Sequence, residues 1–175
     1  TDVAEGTVGA GTGMSCFDFP GGIGTASRVV GEHTVGVLLL CNFGSRPYLD
    51  VLGRSLGEAP ERQQAEGSCI AVCATDAPLD PLGLRRLALR PLLGIARAGS
   101  FASNGSGEIG MAFSTATSIA SVEFSPLFAA AYEAAHEAVL NCLVAAQPGT
   151  RLDGTEQEAF PVDLVRGWAA ERGDG

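Results

Sequence analysis

An α+β domain, with helices packed on antiparallel sheets, is the fold class the sequence predicts. Two observations carry it. Strand-like and helix-like segments follow in the order strands, helix, strand, helix, helix, with no internal repeat. Hydrophobic residues make up 46% of the 175 positions and charged residues 18%, which is ample for one core and unlike a disordered composition.

The elements read in order as follows. Residues 1–24 are Gly-rich and irregular. Gly24–Val30 and His33–Asn42 read as two strands joined by a tight turn, the second Val/Leu-dense and expected to be buried on both faces. Its Val35–Cys41 stretch is the longest apolar run and is too short to span a membrane. Asn42-Phe43-Gly44 ends it, and a short strand is expected over Tyr48–Leu52. Gly57–Gly67 is polar, acidic and aperiodic, and reads as an exposed linker. Ser68–Thr75 then opens a strong strand without transition. Leu82, Arg85, Arg86, Leu89 and Leu93 have helical spacing, and Pro91 should split that helix in two before Arg97. A Gly/Ser/Asn loop from Gly99 to Gly107 precedes a strand over Glu108–Thr115. Ser125-Pro126 suits an N-cap and first turn, opening an Ala-rich helix that runs to about Gln147 and stops at Pro148-Gly149. A last short helix is expected from Asp163 to Glu171.

Charge and cysteines narrow the function. The net charge is −9, and every basic residue is Arg. Four Arg face eight acids before Ser68, and seven face twelve after it. The single basic cluster, Arg85, Arg86, Arg90 and Arg97, sits on one helix, which argues against a nucleic-acid partner. Five cysteines without regular spacing make no disulfide framework. Neither a C-x-x-C pair nor His partners are present for zinc, so no metal and no cofactor are expected. Cys69 and Cys73 share a strand face and act as small hydrophobes. With no signal-peptide pattern at Thr1, a reduced, cytoplasmic chain is expected. Gly9-Ala10-Gly11-Thr12-Gly13 looks like a phosphate loop, but it lacks the preceding strand, the Lys and the acid such loops need. His33 and His136 stand far apart, and His136 reads as a surface residue. Asp153–Glu158 reads as a solvated loop.

Ser68 is the candidate nucleophile. A serine hydroxyl is weak and needs a base, and an N-terminal residue can use its own α-amine. That amine has an ordinary pKa of about 7.7–8.0. The chain must first be cut before Ser68, and Gly67 suits such a cut because Gly tolerates strained backbone. On spacing alone, a Ser that simply opens a strand is the commoner explanation. Asn104-Gly105 is a favoured turn pair, yet it also sets Ser106 and Glu108 on one face at the head of a strand, within reach of Ser68. Asn42 closes a strand, either as a turn residue or as an amide donor to an oxyanion.

Longer segments tie these candidates together. They are Val8–Met14, Gly21–Arg28, Thr34–Leu38 with Asn42–Gly44, Gly67–Leu79, Leu93–Arg97, Ser103–Ile109 and Ala112–Ala116. They resemble the L-aminopeptidase/D-Ala-esterase/amidase family, which includes the β-peptidyl aminopeptidases. The resemblance implies a four-layer αββα sandwich of N-terminal-nucleophile (Ntn) hydrolase type. It implies a precursor that cuts itself at Gly67-Ser68, leaving Ser68 as nucleophile, Ser106 and Glu108 as its partners and Asn42 at the oxyanion. Residues 1–67 would then close the α piece, and 68–175 would form the β piece of a single-domain fragment. Short peptides, amino-acid amides or esters are the implied substrates. Relatives acting on nylon oligomers or pantetheine-type amides, and Ntn-like acyltransferases, carry Thr where Ser68 stands. The family's α piece is longer than the residues before Ser68. A missing N-terminal part is therefore expected as a partner, carrying core strands, a Tyr and the acid that holds a substrate's amino group. Homo-oligomers of αβ units are expected too. The family's Pro-His-Asp is Pro161-Val162-Asp163 here.

Overall fold

The computed structural model describes residues 3–58, 67–150 and 154–173. Residues 59–66, most of the expected linker, and Asp153 lie outside them. The chain begins with a 3-10 turn at Gly9–Gly11 and a small hairpin, β1 (Ser15–Cys16) and β2 (Phe19–Pro20), where irregular backbone was expected. β3 (Gly22–Val30) and β4 (His33–Asn42) follow as the predicted pair, turning through Gly31-Glu32. Tyr48–Leu52 is not a single strand. Arg46–Tyr48 forms a 3-10 turn, and β5 (Asp50–Val51) pairs with β6 (Arg54–Ser55). The Pro at the start of that turn favours the tight helical form over an extended one.

β7 (Ser68–Thr75) matches its predicted bounds, and α1 (Pro81–Ala88) and α2 (Arg90–Arg97) divide at Leu89, just before Pro91. Asp80 caps α1 by accepting the Gly83 N–H at 2.6 Å. β8 (Gly107–Ser114) precedes the long helix α3 (Phe124–Ala145). α3 is capped by Glu123, which accepts the Ser125 N–H, so Ser125 lies inside the helix and is not its cap. β9 (Gly149–Thr150), β10 (Glu156–Gln157) and α4 (Val162–Gly173) complete the chain.

The main sheet runs β3-β4-β7-β8. It is mixed, which corrects the antiparallel expectation: β7 and β8 are parallel. The reason is in the order of elements. A strand, a helical crossover and a strand return parallel, and α1 and α2 supply the crossover. Among the described residues, α1, α2 and α3 cover one face of it. On that side Val35, Val37, Leu39 and Cys41 of β4 and Cys69, Ala71 and Cys73 of β7 are buried. β4 alternates buried with half-buried residues, so it is sealed on one face and not on both.

α3 lies over β3 and β4, and α1 lies over β8. The inner face of α3 is rich in alanine, with Ala130, Ala131, Ala134, Ala135 and Ala138 buried beside Leu127, Val139, Cys142 and Leu143. Small residues let helix and sheet approach closely. A Cβ on Gly24 would stand 1.9 Å from the Ala138 carbonyl oxygen. Cys16, Cys41 and Cys142 meet in this core. Burial holds the Cys16 thiol well above its usual range. His136, expected at the surface, is half-buried on α3 with its backbone against Gly94 of α2. Burial lowers its pKa, and Arg97 adds to the effect.

The other sheet face carries Ile70, Ile109, Met111 and Phe113, of which Ile109 is 57% exposed. A shallow groove lined by Thr25, Leu38, Val72 and Phe113 crosses it. Around the main sheet the described residues thus form one helical layer, on one face. No described helix is long and apolar enough to cross a membrane.

Candidate active site

Three strands converge on one row of residues. The antiparallel register of β4 and β7 sets Asn42 opposite Ser68, and the parallel register of β7 and β8 sets Ser68 beside Gly107. Strand alternation puts the Asn42 and Ser68 side chains on the open face. Ser68 is exposed at the first position of β7. Its Oγ accepts the Gly107 N–H at 3.1 Å.

Gly67 is fixed by space. A Cβ there would lie 2.1 Å from the main-chain oxygen of Asn42. The peptide before Ser68 therefore runs against the end of β4, where only glycine fits. The Asn42 side chain has an assigned direction, because its Oδ1 accepts the Ser15 N–H at 3.0 Å. The carboxamide nitrogen is the atom left to donate on the row it shares with Ser68.

Ser106 and Glu108 flank Gly107, and the Ser106 hydroxyl donates to Glu108 Oε1 at 2.5 Å. The two side chains, expected to reach Ser68, bond each other. The bond that reaches Ser68 Oγ, however, comes from the main chain of the intervening Gly107. That donor has no side chain to mark it in the sequence. A glycine between two polar residues at a strand head was its one visible signal. Ser15 was missed for the same reason, since its backbone and not its side chain holds Asn42.

Glu108 pairs in register with Cys69. Burial pushes the Cys69 thiol up to about 12, with the Glu108 charge adding to it. Cys73 is raised to about 12 by burial alone. Both thiols stay neutral at ordinary pH.

Among the described residues, no His, Asp or Glu side chain hydrogen-bonds Ser68 Oγ. His33 pairs with Asp76 at the opposite end of the sheet. The row therefore offers an exposed hydroxyl, an N–H against it, a carboxamide across the strand pair and a carboxylate–hydroxyl pair beside it. It lacks a side-chain base in contact with that hydroxyl.

The description "Peptidase family S58" belongs to a family profile that matches residues 1–157. The β-peptidyl aminopeptidase BapA of Sphingosinicella microcystinivorans is 44% identical over 196 residues, covering 91% of this chain and 50% of that protein. A solved structure from Pyrococcus horikoshii OT3 superposes with a TM-score of 0.85 at 42% identity, covering 98% of this chain and 54% of that one. The L-aminopeptidase D-Ala-esterase/amidase of Ochrobactrum anthropi, a variant of the Ntn-hydrolase fold, gives 0.85 at 37% identity, over 98% and 53%. The fold is therefore α+β and of Ntn-hydrolase type. The chain spans about half the length of the curated relatives it matches.

Proposed function

Because the chain belongs to peptidase family S58, we propose that it carries the nucleophile of a self-cleaving aminopeptidase or amidase. One observation carries the reading: the exposed Ser68 hydroxyl stands in one row with Asn42 and Gly107, directly after a Gly that nothing larger can replace.

Self-processing begins with attack of Ser68 Oγ on the Gly67 carbonyl carbon. The C–N bond to Ser68 breaks, its nitrogen takes the hydroxyl proton, and an ester forms on Oγ. Water hydrolyses that ester, freeing the Gly67 carboxylate and the Ser68 amine. The missing base is thereby supplied by the reaction itself, since the new amine titrates near neutral pH. In turnover the neutral amine takes the Oγ proton as Oγ attacks the substrate carbonyl. Asn42 Nδ2 steadies the oxyanion. The leaving amine departs with that proton, and water releases the acyl group. The Ser106–Glu108 pair holds the Ser68 amine in place.

The names of the relatives support N-terminal residues of short peptides, amides or esters as the substrates. The apolar open face supports a second layer supplied by the rest of a longer protein, because contiguous exposed apolar surface of this kind marks an interface.

Intact mass spectrometry of the denatured full-length protein tests the reading. Two species divided between Gly67 and Ser68 are expected, and Ser68→Ala should stay whole. One undivided mass after long incubation overturns the proposal.

A further inference from the structure

We propose that Asp18 is the positioning residue for the Asn42 carboxamide. The inference rests on reading Asn42 as the oxyanion donor, and it concerns what holds that donor still.

The β1–β2 hairpin lies along residues 42–46 and engages them in sequence. The Ser15 N–H donates to Asn42 Oδ1 at 3.0 Å. The Phe17 N–H donates to the Phe43 carbonyl at 2.8 Å. The Phe17 ring lies under Gly44, 2.6 Å from where a Cβ would be. Asp18 Oδ2 accepts the Arg46 N–H at 2.9 Å. The first of these contacts orients Asn42, and the last fixes the far end of the loop.

Asp18 is the polar anchor of that hairpin. It is 4% exposed, and its second oxygen, Oδ1, has no partner among the described residues. A carboxylate buried this deeply is costly to keep without a hydrogen bond, and the bond it makes ties the hairpin turn to Arg46. It also stands at the turn, where Phe17 and Asp18 take φ of 50° and 65°. Left-handed backbone at two successive non-glycine residues persists only where surrounding contacts enforce it. Without the Asp18–Arg46 bond, the turn is free to relax and to carry the Ser15 N–H off Asn42. The carboxamide can then rotate, and the donor is no longer aimed.

Asp18→Gly and Asp18→Asn test this in the full-length protein. Gly keeps the left-handed turn accessible but removes the acceptor, whereas Asn keeps both. Asp18→Gly should lower kcat on the order of 10- to 100-fold with little change in KM, as small misplacements of catalytic groups do. It should also speed hydrogen exchange at the Ser15 amide, and Asp18→Asn should restore both readouts toward the parent. If Asp18→Gly does not fold, Arg46→Pro removes the donor instead, with Arg46→Ala as its control. Ser45 is already extended, at ψ 143°, as a residue before proline must be. Unchanged Ser15 exchange in Asp18→Gly, or equal damage in Asp18→Asn, overturns the proposal. Failure of the underlying reading looks different. There Asn42→Ala leaves kcat unaltered, while Ser15 exchange still answers to Asp18.

Discussion

β7 begins and ends in opposite ways. At Thr75 its polar groups are closed into a net. Thr75 Oγ1 donates to the Thr34 carbonyl at 2.7 Å and accepts the Ala77 N–H at 3.1 Å. Ser114 Oγ bonds the Ala77 carbonyl at 2.6 Å, and the Thr34 N–H goes to Asp76 at 2.8 Å. At Ser68 the strand opens with an exposed hydroxyl held by one N–H at 3.1 Å. Both residues are hydroxylated and both end the same strand. One hydroxyl is spent inside the protein, and the other is kept available. A hydroxyl that is already donating inside a buried net resists removal from it, whereas an exposed one can be moved and deprotonated.

The largest test of that contrast is Ser68→Ala. It should abolish turnover, by on the order of 10⁴-fold or more, and change stability by no more than about 0.5 kcal/mol. Steady-state rates and urea midpoints read the two effects separately. Loss of stability would make Ser68 structural and erase the contrast. Asn42→Ala comes next, with kcat expected to fall by roughly 10²- to 10³-fold as when an oxyanion donor is removed. A change confined to KM would assign it to substrate binding instead.

Thr75→Val should behave in the reverse sense. It deprives Ala77 of an acceptor and should cost about 1–3 kcal/mol of stability, with cleavage at Gly67-Ser68 intact. The last test concerns Cys69, the neighbour of Ser68. Its thiol, pushed up to about 12, should stay protonated at pH 8. Alkylation of the folded protein should run at least ~100-fold slower than in urea, where an ordinary thiol pKa returns. Rapid labelling of Cys69 in the folded state would show that this end of the sheet opens.

The two ends were not equally legible in the sequence. Ser68, Gly67, Asn42, Ser106 and Glu108 are all visible as residue types at strand boundaries, and family resemblance selected them from commoner explanations. Gly107 was marked only by its place between two polar residues and Ser15 not at all, because their contribution is a main-chain N–H that any residue but proline carries. Asp18 lay in a stretch read as irregular, since a hairpin of two-residue strands has no period to detect.

The sequence by itself determined the local elements: β7 to its bounds, the β3–β4 hairpin to within two residues and the break near Pro91. These follow from periodicity and from proline, which act over a few neighbouring residues. Only the tertiary structure decided that β7 and β8 run parallel, that α1, α2 and α3 share one face, and that Ser15, Asn42, Ser68 and Gly107 meet. Pairing depends on which distant strands exclude water together and on how the crossover through α1 and α2 returns the chain. No stretch of neighbouring residues records either.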